Sequence, residues 1–172
     1  MATYVFGYGS LINMKENGNE LSHSDTRKVW PVTVSGLKRS FNVAGRDSTY
    51  RVLGVKDVKT ALCNGILIKV SSRELEYLVE REKLYTPKLL AHDRIIFNYN
   101  KTLKLKKEDL VICFYPQPKY ILAKKIPLRE NYLRICAEGA MNINKTFFDD
   151  FMATTYGFSY DWYIIKLIYN YI

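Results

Sequence analysis

Tyr4-Val5-Phe6-Gly7-Tyr8-Gly9-Ser10-Leu11 is an apolar run that leaves through two closely spaced glycines. Residues 3–8 read as a buried first strand ending at a glycine turn. Glycines allow successive backbone N–H groups to point into one concavity, and such a nest holds a carboxylate without a charged side chain. Tyr8–Leu11 is therefore a candidate anion site, with Ser10 adding a hydroxyl; the plainer reading of the same residues is an ordinary tight turn at a strand end. The segment is not a dinucleotide fingerprint: Ile12 stands where a third glycine would be needed, residues 13–18 are polar and loop-like, and no βαβ unit follows. A Walker A loop is also missing, since no Gly-Lys-Ser/Thr occurs.

Outward from this turn, residues 29–42 (VWPVTVSGLKRSFN) read as one long or bent strand, with Gly36 marking a bulge or a close approach. Residues 51–56 and 61–70 read as the next two strands. The second runs into a helix opened by the capping box Ser71-x-x-Glu74. Strands are expected again at 89–99 and 110–115, with the basic stretch Lys101–Lys107 as the hairpin connection between them. Tyr132, Ile135, Cys136, Gly139 and Ala140 recur at helical spacing within 129–141, and a second helix at about 145–155 carries Phe147, Phe148, Phe151 and Met152. The tail around Trp162–Ile168 is apolar all round and fits a closing helix or a strand. Strands first and helices late predict an α+β domain on a mostly antiparallel sheet or small barrel. No repeat or linker divides the chain, so residues 1–172 read as one domain.

On the capped helix, Leu75, Leu78 and Val79 form the expected buried stripe, and the position seven residues beyond Leu75 is Glu82. An acid on that face is desolvated, which raises its pKa toward neutrality and suits it to act as a general base. If the helix frays by residue 82, the carboxylate simply reaches water. Position alone leaves both readings open.

Composition narrows the classes. The 26 basic and 17 acidic residues give a net charge of +9. The basic residues neither cluster on one element nor interleave with exposed aromatics, which argues against nucleic-acid binding as the main function. Cys63, Cys113 and Cys136 share no C-x-x-C spacing and sit in apolar segments, as reduced buried thiols of a cytoplasmic protein would. No signal-like start and no uncharged apolar stretch of about 18 residues is present, so no membrane span is expected. His23 and His92 stand apart from ligand-like company, so no zinc site is expected. Asp149-Asp150, beside the phenylalanines of the late helix, reads as a solvated edge.

Taken jointly, the glycine turn and the Glu82 segment resemble the γ-glutamylcyclotransferase superfamily, which includes ChaC-type and AIG2-like proteins. Phe6-Gly7-Tyr8-Gly9-Ser10-Leu11 is similar to its substrate loop, and Tyr77-Leu78-x-x-Arg81-Glu82 with Tyr85 to the segment bearing its catalytic glutamate. Gly36-Leu37-Lys38-Arg39-Ser40-Phe41-Asn42 and Pro127-x-x-x-x-Tyr132 resemble two further blocks, so the likeness spans roughly residues 3–156.

The resemblance implies a small mixed, mostly antiparallel β-barrel flanked by helices. It implies Glu82 as the catalytic acid/base, with Gly7, Tyr8, Gly9, Ser10, Leu11, Tyr85 and Tyr132 binding a small γ-glutamyl substrate and no metal or cofactor taking part. The implied reaction closes the γ-glutamyl group into 5-oxoproline and frees an amine. The Arg-Gly segment typical of the glutathione-acting branch is missing from Ala44-Gly45-Arg46-Asp47-Ser48-Thr49. Glutathione, γ-glutamyl amino acids and γ-glutamyl amines all stay open as substrates. A catalytically silent module binding a small carboxylate on the same fold is the alternative, and the intact Glu82 is what separates the two.

Overall fold

The computed structural model describes residues 1–14, 29–99, 103–122 and 126–157. His23, residues 15–18 of the polar segment, Lys101 and the apolar tail around Trp162–Ile168 lie outside the described residues.

The first strand, β1 (Thr3–Gly7), sits inside the sheet, and its uninterrupted apolar run explains why: Val5 and Phe6 are fully buried. It pairs antiparallel with β3 (Arg51–Val70) and parallel with β6 (Leu110–Pro116). β2 (Val29–Ala44) pairs along β3, β4 (Tyr85–Leu89) along β6, and the two-residue β5 (Ile95–Ile96) along β2. The sheet order is β4-β6-β1-β3-β2-β5, and β7 (Thr155–Tyr156) adds to β2. No pairing among the described residues joins β4 to β5. The sheet is thus mostly antiparallel, as expected, and open rather than a closed barrel.

Among the described residues three helices accompany it: α1 (Ser72–Arg81), α2 (Glu130–Ile143) and α3 (Lys145–Ala153). The capping box of α1 forms, with the Glu74 carboxylate accepting from the Ser71 amide at 2.7 Å. The Asn144 side chain caps α3 by accepting from the Phe147 amide at 2.8 Å. Phe147, Phe148 and Phe151 of α3 are buried, and each such side chain contributes about 1.5–3 kcal/mol by leaving water. Gly139 lets α2 lie directly on the segment after β1: a Cβ there would stand 2.6 Å from the Asn13 nitrogen.

Several expectations are corrected. Segments 51–56 and 61–70 are one strand, because the polar stretch between them is a bulge rather than a turn: Val58–Ala61 oppose the single residue Gly36, whose φ is +72°. Residues 89–99 are not one strand. After Leu90 the chain leaves β6 through a 3-10 turn at His92–Arg94, and only Ile95–Ile96 then joins β2 at the far side of the sheet. The connection through 101–107 therefore links strands that are not partners and is no hairpin. Of the acidic pair, Asp149 is exposed beside Lys145, but half-buried Asp150 accepts the Tyr99 hydroxyl at 2.6 Å. All three cysteines are free and buried. Among the described residues, no helix is long and apolar enough to cross a membrane.

Candidate active site

The glycine turn is built by close packing. A Cβ on Gly7 would lie 2.8 Å from the Leu11 Cβ, and one on Gly9 would lie 2.8 Å from the Tyr132 hydroxyl. Neither residue takes a positive φ; Gly9 has φ −130°. The glycines are needed for approach rather than for left-handed backbone. A 3-10 turn at Ser10–Ile12 follows, in which the Ile12 amide donates to the Gly9 carbonyl at 2.9 Å. The amides of Ser10 and Leu11 precede this first bond, at the head of the turn.

Tyr8 is anchored at both ends. Its hydroxyl donates to the Phe114 carbonyl at 2.6 Å, and its own carbonyl accepts from Arg39 at 3.1 Å. Arg39 is fully buried; the sequence placed it in a block of the resemblance but gave it no role at the site. Its guanidinium also donates to Thr155 Oγ1, Asn64 O, Asn64 Oδ1, Phe151 O and Thr154 Oγ1 at 2.6–3.0 Å, and it lies 4.0 Å from the Phe151 ring centroid. One side chain thus ties the glycine turn to β3 and to the end of α3. A signal existed in the sequence: Leu37, Arg39 and Phe41 alternate onto one inward face, where a charge is out of place.

The acid lands in the cavity by a different route from the helical count. α1 ends at Arg81, and Glu82 is its C-cap, its amide donating to the Leu78 carbonyl at 2.8 Å. Val79, expected to be buried, is 44% exposed, whereas Leu78 is fully buried. The helix does end at residue 82, yet the Glu82 side chain keeps only 18% of its exposure. The chain turns at once into β4, with the Tyr85 amide donating to the Glu82 carbonyl at 2.9 Å, and this holds the carboxyl inward. Burial pushes the Glu82 pKa above the ordinary carboxylate value, against the opposing pull of Arg81, whose Nε is 3.5 Å away, and of Arg46.

Tyr85 and Tyr132 complete the wall. The Tyr85 hydroxyl donates to the Leu53 carbonyl at 2.6 Å, and the Leu53 amide bonds the Tyr132 hydroxyl. Burial holds the phenols of Tyr8, Tyr85 and Tyr132 well above their usual pKa, so all three stay neutral. Leu53 acts through its backbone, which no reading of residue types could have found.

These pieces enclose an inner recess of about 30 Å³ lined by Tyr8, Gly9, Ser10, Leu11, Glu82, Tyr85 and Tyr132, with Phe6, Leu53 and Phe114 as its floor and sides. Gly7 stands behind the loop, against Leu11 and Ile66, and does not line the recess. An outer chamber of about 150 Å³ shares Ser10, Glu82, Tyr85 and Tyr132 and adds Arg46, Tyr50 and Arg81. Glu82 therefore stands where the two spaces meet. Among the described residues, no three His, Cys, Asp or Glu side chains come together as metal ligands would.

The chain matches no protein-family model and no curated protein. Among solved structures it is similar to the human uncharacterized protein loc79017, with a TM-score of 0.64 at 13% identity over 97% of this chain and 98% of that one. It is similar also to a γ-glutamyl cyclotransferase, with a TM-score of 0.60 at 13% identity over 99% of both chains. A yeast γ-glutamyl cyclotransferase specific to glutathione gives 0.55 at 12% identity over 90% of this chain and 97% of that one. By these likenesses the chain has the γ-glutamyl cyclotransferase fold.

Proposed function

We propose that this protein cleaves a γ-glutamyl amide by cyclising it, releasing 5-oxoproline and a free amine or amino acid. The observation that carries the reading is one mostly buried carboxyl, Glu82, facing the Gly9–Leu11 loop across a recess walled by neutral tyrosines. The substrate α-carboxylate would rest at the amides of the turn after Gly9. Glu82 would take a proton from the α-ammonium. The freed amine attacks the γ-carbonyl carbon, Glu82 passes its proton to the leaving nitrogen as that C–N bond breaks, and the carboxylate then takes the second proton from the ring nitrogen, which leaves with the released amine as its ammonium. Nucleophile and electrophile belong to one molecule, so a single acid/base suffices. The three buried free cysteines fit a reducing compartment, so the cytoplasm is the proposed location.

The test is 5-oxoproline release from glutathione, γ-glutamyl-alanine and γ-glutamyl-lysine in parallel, with Glu82→Gln beside the wild type. Release from one substrate, lost in the variant, supports both reaction and base. No release from any would favour the silent binding module.

Two variants bear on the walls. Gly9→Val places a branched carbon against the Tyr132 hydroxyl and is expected to weaken substrate affinity at least about tenfold and to lower stability by roughly 1–3 kcal/mol through overpacking. Titration calorimetry reads this directly, and native-like affinity would detach the turn from binding. Cys63→Ala removes a buried thiol that lines neither space. It is expected to keep turnover within about twofold at a stability cost of about 1 kcal/mol. Loss of turnover in a folded Cys63→Ala protein would point instead to thiol chemistry.

A further inference from the structure

The outer chamber opens toward a groove lined by Arg46, Tyr77, Glu80, Arg81 and Lys83 among others. Its charges sort mostly into pairs. Glu80 pairs with Lys83, and Arg81 with Glu82. Arg46 is left over: it lines both the chamber and the groove, and among the described residues no carboxylate makes an ion pair with it at contact distance, Glu82 feeling its charge only from farther off. One of its Nη2 hydrogens goes to the Arg81 carbonyl at 3.1 Å, and the other donors of a planar guanidinium remain for a ligand.

Arg46 is also held in place. It belongs to the loop joining β2 to β3, where the Gly45 amide donates to the Tyr50 carbonyl at 2.7 Å and the Ser48 amide to the Gly45 carbonyl at 2.9 Å. Glycine at 45 lets the Tyr50 ring close on the loop, since a Cβ there would meet that ring at 2.3 Å. Asp47 is turned back onto Thr49 and does not neutralise its neighbour, and Arg129 fixes Tyr50 by donating to its hydroxyl at 3.1 Å.

We propose that Arg46 is a specificity-determining residue that binds a carboxylate on the leaving half of the substrate, favouring γ-glutamyl amino acids and peptides over γ-glutamyl derivatives of plain amines. This rests on the cyclotransferase reading of the inner recess. With the substrate α-carboxylate in that recess and the γ-carbonyl beside Glu82 where the two spaces meet, the leaving nitrogen lies at the junction too. The α-carboxylate of an amino-acid leaving group then follows it into the outer chamber, where Arg46 is the unpaired cation. A plain amine offers nothing to that guanidinium.

The test compares γ-glutamyl-alanine with γ-glutamyl-alaninamide, which differ in the leaving-group charge. Affinity is measured by titration calorimetry, and 5-oxoproline release is measured on the same samples, for wild type, Arg46→Gln and Arg46→Lys. The wild type is expected to prefer the acid by about tenfold. That ratio should fall to about one in Arg46→Gln, be intermediate in Arg46→Lys, and shrink in roughly 0.5 M KCl. A ratio unchanged in Arg46→Gln, no preference in the wild type, or no binding of either compound would overturn the proposal. Release with an unchanged ratio would leave the reaction standing and remove Arg46 from it. A collapsing ratio without any release would leave the carboxylate subsite standing and remove the reaction.

Discussion

Glu82→Gln is expected to lose about 10²–10⁴-fold in kcat while keeping substrate affinity within a few-fold. The amide fills the same space at the junction of the two chambers but cannot shuttle a proton. The wild-type pH profile supplies a second signature. Burial raises the Glu82 pKa, so the base becomes competent only above the ordinary carboxylate range, and the acid limb of kcat/KM should lie above about 4.5. Stability carries the same shift with a defined sign. The native state holds this proton more tightly than the unfolded chain does. Both forms are protonated below the ordinary value, and Glu82 then imposes no charge penalty. As pH rises through that value toward the raised native one, the unfolded chain ionises freely while the native carboxyl is desolvated, so stability declines. Glu82→Gln lacks that decline, and its unfolding midpoint should rise relative to wild type between acid and neutral pH. Thermal unfolding at a series of pH values measures the difference. A midpoint difference that is flat with pH would mean the carboxyl is solvated in the native state.

Arg39→Met should give the largest loss of stability. The substitution keeps an apolar stem of similar length but strips the donors from Tyr8 O, Asn64 O and Oδ1, Phe151 O, Thr154 Oγ1 and Thr155 Oγ1. Removing a buried charge recovers its desolvation cost, so the bonds do not add in full. Stranding several buried acceptors leaves a net cost of about 3 kcal/mol, which lowers Tm by roughly 6–12 °C in a chain of this size. Arg39→Lys keeps the charge without the planar fork and should recover only part of it. Because the Tyr8 carbonyl is among the stranded groups, substrate affinity should fall in both variants. A Tm within about 2 °C of wild type would show that the desolvation of the guanidinium cancels its hydrogen bonds.

The elements that were legible in the sequence are those with local causes. β1 was visible because a strand buried on both faces must be an unbroken apolar run, and the start of α1 because a capping box satisfies amides a few residues away. The bulge at Gly36 was visible because glycine supplies the φ of +72° found there. The errors share a cause as well. Polar residues at Lys56–Thr60 look like a turn, but the partner strand kept the ladder going past them. Residues 89–99 look like one strand, but the chain had to cross from one side of the sheet to the other.

The site divides in the same way. The sequence by itself determined that a glycine turn ends the first strand and that a capped helix leads to an acid, because short-range sterics and capping act within a few residues; Tyr85 and Tyr132 entered only through the resemblance. Only the tertiary structure decided that the Glu82 carboxyl stays mostly buried after its helix has ended, that Gly7 lies behind the loop, and that Leu53 offers its backbone to two tyrosines. It alone brought Arg39 under the turn and left Arg46 unpaired at the outer chamber. Burial and pairing are set by which distant strands and helices meet, and that depends on the packing of the whole sheet.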